Sequence, residues 1–109
     1  MLLRYLENAI LKKATKTKQE NGTYIETLTN IKTYVMQRQE LNDEISASIY
    51  GANIHKMIRI RTVNQELEDY LYTKVNNKED NISLYYVFIK SRKYKIVSVN
   101  ASGIDLELV

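Results

Sequence analysis

The last quarter of the chain, LYYVFIKSRKYKIVSVNASGIDLELV at positions 84–109, reads as three strands joined by two tight turns. Leu84–Ile89 is apolar on both faces, Ser91–Lys93 is a turn, Tyr94–Val99 returns as the partner strand, and Asn100–Gly103 turns the chain again. Ile104–Val109 alternates without a break: Ile104, Leu106 and Leu108 face one way, Asp105 and Glu107 the other. That period of two is the mark of a half-buried strand. A strand apolar on both faces has two surfaces to cover, and in so small a domain the second falls to another chain.

Working outward, Lys56–Val63 alternates in the same manner, with Ile58 and Ile60 to the core and Met57, Arg59 and Arg61 to the other side. One face is therefore buried and the other cationic. Leu67, Tyr70 and Leu71 fall at helical spacing over 64–75, with Asn64 as the cap, and 76–81 is a polar loop. Near the other end, residues 9–18 and 23–38 read as two strands around the turn signal Gln19-Glu20-Asn21-Gly22. In the second of them the apolar phase changes, from Tyr24 and Leu28 to Ile31 and Val35. A bulge near Thr29–Asn30 would restore one inward face and bend the strand. Residues 39–55 form an excursion in which Leu41, Ile45 and Ile49 recur every four residues, interrupted by Ser46, Ser48 and Gly51. A helix and a mobile loop fit it equally well. Residues 1–8 read as a short helix or arm that docks on something. The fold expected is mainly β: a small bent-strand barrel or sandwich, one domain over 1–109, with a long excursion at about 39–55 and one or two short helices.

Composition agrees and excludes several chemistries. The 109 residues contain no cysteine, no proline, three glycines, nine tyrosines and one histidine. Disulfides, thiolate metal sites and cysteine nucleophiles are excluded, as is a His-rich metal site within one chain. No uncharged run is long enough to span a bilayer as a helix, and no signal peptide is read at the N-terminus. His55 has no nucleophile motif near it. The acidic pairs Asp43–Glu44, Glu68–Asp69 and Glu79–Asp80 are sequence neighbours whose side chains point apart. None of the glycines builds a phosphate-cradling loop. No enzyme and no cofactor is expected. The net charge of +3 is modest but banded, with basic clusters around Lys12–Lys18, Lys56–Arg61 and Lys90–Lys95 between acidic stretches. Such banding suits a protein that packs against copies of itself, through Arg59, Arg61, Tyr85, Arg92 and Lys93 as the subunit interface. Aromatics interleaved with lysines also suit a platform for single-stranded nucleic acid.

The segment RIR at 59–61, then a connection, then YYVFIKSRKYKIVSVNASGIDLELV at 85–109 resembles the end of phage head–tail joining proteins. The return strand carries their aromatic and aliphatic positions as Tyr94, Ile96 and Val99, and its turn is Ser91-Arg92-Lys93 where that family has a glycine. With the hairpin over 9–37 and the excursion after it, the layout is similar to that of head-closure, or stopper, proteins of long-tailed phages. The resemblance implies a homo-oligomeric ring in the virion neck, assembled in the host cytoplasm. The ring sits between a portal or adaptor protein and a tail or tail-terminator protein. It touches packaged double-stranded DNA transiently and without reading sequence, and it contacts no membrane. It further implies that the excursion is a channel gate, with Asn42, Asp43, Glu44, Ser46, Ser48, Tyr50 and Gly51 as its residues. The alternatives are a tail terminator or other neck protein, and a small barrel that binds single-stranded nucleic acid.

Overall fold

A computed structural model describes residues 6–41, 44–76, 81–100 and 102–109. Six strands, β1 (Glu7–Lys18), β2 (Tyr24–Glu40), β3 (Met57–Thr62), β4 (Tyr85–Ile89), β5 (Arg92–Asn100) and β6 (Gly103–Leu108), close into an antiparallel barrel in the order β1-β2-β3-β6-β5-β4. Two helices interrupt them: α1 (Glu44–Tyr50), followed by a 3-10 segment over Gly51–Lys56, and α2 (Glu66–Asn76). A six-stranded barrel is narrow enough for its own side chains to fill. Leu11, Met36, Ile60, Val87, Ile89, Ile104 and Leu106 do so, all below 2% exposed. Leu67 and Leu71, one helical turn apart on α2, join the same cluster where β3 ends and β4 begins.

The alternation read in β3 and β6 holds: Ile58, Ile60, Ile104 and Leu106 are in the core. The apolar strand β4 places Tyr85, Val87 and Ile89 inside and leaves Tyr86 and Phe88 half-buried on the outer wall. In β2 the break in register falls at Ile31, which has no partner between Leu11↔Lys32 and Lys12↔Asn30. A bulge is therefore present close to its expected place. The inward face beyond it differs from expectation, being Tyr34 and Met36, while Ile31 and Val35 are exposed. Tyr34 and Met36 keep the even parity of Tyr24 and Leu28, Tyr34 lying opposite the buried Ala9 of β1, and Tyr34 brings more apolar area to the core than Val35 would.

Two local expectations need correction. Asn64 is not a helix cap: it and Gln65 both have positive φ, at 57° and 56°. Thr62 caps instead, its hydroxyl accepting from the Leu67 N–H at 3.1 Å and donating to Glu68 at 2.5 Å, while the Thr62 N–H donates to the same carboxylate at 2.9 Å. The β4–β5 turn is Lys90-Ser91 rather than 91–93, with φ of 50° and 66°. Both turn residues are left-handed, as a two-residue hairpin that matches strand twist requires. Of the two readings open for the excursion, the helix holds over Glu44–Tyr50, followed by the 3-10 segment Gly51–Lys56, and β2 runs to Glu40.

β1 and β2 pair far beyond the barrel. Their ladder runs from Glu7↔Met36 to Lys18↔Tyr24, but β4 meets β1 only at Ile10–Lys13 and β3 meets β2 only at Met36–Glu40. The remainder is a two-stranded arm. It lengthens the molecule to 57 Å against widths of 31 and 29 Å.

Candidate functional site

Three features outside the core merit a functional reading: the foot of the excursion, the outer wall of β4–β1, and the arm.

The foot of the excursion is a buried charge cluster. Asp105 and Arg59 are register partners on β6 and β3, both on the outward side of their strands. The Arg59 guanidinium grips the Asp105 carboxylate with two hydrogen bonds, Nε to Oδ1 at 2.6 Å and Nη2 to Oδ2 at 3.2 Å. Ser98, the β5 neighbour of Asp105, donates its hydroxyl to Oδ2 at 3.2 Å. The Tyr50 hydroxyl, at the end of α1, donates to the same Oδ2. Gly51 then ends the helix in the left-handed region at φ 58°, a conformation that favours glycine. Asp105 is only 2% exposed although it points away from the barrel core. Burial pushes its carboxyl up; the bonds from Arg59, Tyr50 and Ser98 outweigh that and leave it below the ordinary aspartate range. Burial and the adjacent carboxylate push the Tyr50 hydroxyl up. Leu41 and Met57, at the two ends of the excursion, are also buried, whereas Ile49 is 66% exposed. The excursion therefore lies outside the barrel and is tied down through Tyr50.

Of the expected gate residues, Asn42 and Asp43 lie outside the described residues. Glu44 and Ser46 fall within α1, Ser48 is exposed, and Tyr50 faces the cluster. The expected interface residues separate. Arg61 and Arg92 are exposed, Lys93 is half-buried, Arg59 is committed to Asp105, and Tyr85 lies inside the barrel at 2% exposed. Tyr86, not Tyr85, is presented by the wall, because the strand turns its odd-numbered residues inward. The role of Asp105 and Ser98 was not anticipated. The signal for the pair was present: RIR and IDL place opposite charges on the outward sides of two strands that alternate alike.

On the outer wall, Lys12 Nζ lies 4.2 Å from the Phe88 ring centre and Lys93 Nζ lies 4.1 Å from that of Tyr86. Beside them Glu7 accepts a fork from Arg38, at 3.0 and 2.7 Å, and an ion pair from Lys90 at 3.3 Å. The Arg38 hydrogen bond holds the Glu7 carboxyl below its usual range against the opposing effect of burial. Leu6, Ile10, Lys12, Phe88 and Lys90 line an open groove of about 840 Å³ along this wall.

The arm ends in an ordered tip. Asn21 Oδ1 accepts from both the N–H and the hydroxyl of Thr23, at 3.1 and 2.6 Å, and Gln19 N–H donates to the Thr23 carbonyl at 2.7 Å. Next to it Tyr24 is 63% and Ile25 53% exposed.

Among the described residues no three His, Cys, Asp or Glu side chains converge as metal ligands, and no helix is long and apolar enough to cross a membrane. No family model matches the chain, and no curated protein or solved structure matches it.

Proposed function

We propose that this chain is a structural ring component of a virion neck, a stopper-like protein. Copies of it sit below a portal or adaptor, close the DNA exit after packaging and offer the tail its docking surface. The observation that carries the reading is the division of labour in the fold. A closed barrel is complete without residues 44–56, and that segment lies on its exterior, tied through Tyr50 to a carboxylate that Arg59 and Ser98 already hold. A segment attached in this way exchanges between two arrangements separated by a few kcal/mol while the body stays fixed. The barrel is the ring element and the excursion is the gate. Contact with DNA is confined to backbone electrostatics.

The test is localisation and deletion in the particle. Antibody against the purified chain should label virions at the neck. Removing residues 44–50 should leave the barrel folded and let packaged DNA leak from heads. Labelling elsewhere, or heads that retain DNA without the segment, contradicts the proposal.

The competing reading, a binder of single-stranded nucleic acid, is favoured by the aromatic and basic wall. Yet one face each of Phe88 and Tyr86 is occupied by a lysine of the same chain, which leaves less ring surface for a base to stack on. Tight oligonucleotide binding with a steep salt dependence would favour it over the neck reading.

A further inference from the structure

Beyond the barrel the arm has a free edge on each of its strands. β4 meets β1 only as far as Lys13, and β3 meets β2 only from Met36 onward. Among the described residues no strand lies beside Thr15–Lys18 or Tyr24–Thr27, all of them exposed. The bond from the Gln19 N–H to the Thr23 carbonyl, 2.7 Å, sets the phase of the ribbon. Bonded and non-bonded pairs alternate along an antiparallel ladder. Thr17↔Ile25 and Thr15↔Thr27 therefore exchange bonds inside the ribbon, while Lys18↔Tyr24 and Lys16↔Glu26 are the non-bonded pairs. The backbone N–H and C=O of those last four residues point out of the two edges. No proline and no break in register interrupts the stretch. Such rows are templates for a further strand, and a two-stranded ribbon is marginal in water until it acquires one.

The arm of a second copy has the form of that strand. Two arms set side by side and pointing the same way bring β2 of one against β1 of the other, and those strands run antiparallel. At equal height Glu26 of one copy lies opposite Lys16 of the next and Tyr24 opposite Lys18, the level these residues already share within one arm. Both rows turn outward there, so the ladder continues without a slip. The match is one of backbone phase rather than charge: Glu26 is already paired with Lys93 at 3.6 Å, and the lysines and glutamates of residues 14–28 balance. Thr15, Thr17, Ile25 and Thr27, which share one face of the ribbon, are all β-branched and suit a pleated neighbour.

We propose that the outer edge of β2 in one copy's arm pairs antiparallel with the outer edge of β1 in the next copy's arm. The contact is head-to-tail, and closing it around a common axis leaves no free edge on the arms. The inference rests on the ring reading and names the contact that would hold the ring.

Proline tests the backbone apart from the side chain, because on a strand edge it removes an outward N–H and breaks no bond within the ribbon. In the full-length chain, Glu26→Pro acts on the β2 edge and Lys16→Pro on the β1 edge. Each variant alone should associate at least about tenfold more weakly than the unchanged chain in sedimentation, the effect of one lost backbone bond with a ring in its place. Glu26→Gln, which keeps the N–H, should associate as the unchanged chain does. Mixed together, the two proline variants should recover pairs, since one keeps an intact β1 edge and the other an intact β2 edge. That recovery also shows both to be folded, and Tyr24→Pro with Lys18→Pro repeats the test at the second outward pair. Four results overturn the contact. The first is an unchanged chain that stays single at millimolar concentration, which leaves the edges to a strand of another protein. The second is normal association of Lys16→Pro beside failure of Glu26→Pro, which means β2 against β2. The third is a loss with Glu26→Gln equal to that with Glu26→Pro, which means a side-chain effect. The fourth is no recovery on mixing by variants that keep the thermal transition of the unchanged chain. The two readings fail separately. Rings in micrographs formed equally by both proline variants sink the arm contact alone; open chains or pairs that both prolines abolish uphold the contact and sink the ring.

Discussion

The β3–β6 pair and the β1–β2 arm are made of the same kinds of residue and end in opposite states. β3 and β6, six residues each, put Ile58, Ile60, Ile104 and Leu106 in the core, and even their outward Asp105 is covered. The arm, drawn from strands of 12 and 17 residues, leaves Tyr24, Ile25 and Ile31 in water. Alternation becomes burial only where a strand has a neighbour on each side and a core beneath it. The barrel strands have both; the arm has one neighbour and no core. The first region is what holds the chain together, and the second is spare surface suited to another molecule.

Substitutions can sharpen that contrast. Ile60→Asp should abolish folding, because an unpaired carboxylate at a site with no exposure costs as much as the whole domain's margin of roughly 5–15 kcal/mol. Loss of the cooperative thermal transition checks it; Ile25→Asp on the arm should leave the transition in place. Gly103→Val should cost about 2–4 kcal/mol, since φ is 136° and a Cβ would lie 2.4 Å from the Ile60 carbonyl oxygen. Denaturant unfolding measures it, and Gly22→Ala at the arm tip, with open space around it, should show only the cost of its positive φ, about 1 kcal/mol.

Tyr50→Phe removes one bond to a charged acceptor and should cost about 1.5–3 kcal/mol, read as faster amide exchange across α1 with β3 and β6 unchanged. The same tie is sensitive to pH at both extremes. The folded-state pKa of Asp105 is depressed, so its contribution is complete above the ordinary aspartate range and is lost as pH falls through the folded value beneath it. Tyr50 is raised, so its contribution is complete below the ordinary tyrosine range and is lost as pH rises through the folded value above it. Protection across α1, taken as the exchange rate relative to an unstructured chain at the same pH, should therefore fall in strong acid and in strong alkali and stay level between. The smallest effect is a gain. Ser91→Gly should raise stability by about 1 kcal/mol by relieving a left-handed serine at φ 66°.

Much of the barrel was legible because its signals are local. The unbroken alternation of Ile104–Leu108, the Ile58/Ile60 face and the Asn21-Gly22 turn each fix a strand or a hairpin from a few residues. What was not legible depends on contacts far apart in sequence. Nothing near Ile31 says that the phase break lands on it and turns Tyr34 inward. Nothing in YYVFI chooses between Tyr85 and Tyr86 for the interior, since both parities are apolar. Asp105 reads as surface on its own strand and is buried where Arg59, Ser98 and Tyr50, the last of them fifty-five residues away, meet its carboxylate. The candidate site was legible in the same measure: the excursion as a separate segment was, and its point of attachment was not.

Hydrogen exchange on the intact chain, at low concentration and then at concentrations that favour assembly, addresses the division between body and appendages most directly. Amides of β3, β5 and β6 should be strongly protected and indifferent to concentration, while those of residues 20–28 should exchange quickly in the dilute chain and slow as copies associate. Arm amides as protected as the barrel in the dilute chain, or barrel amides that gain protection together with the arm, would contradict it.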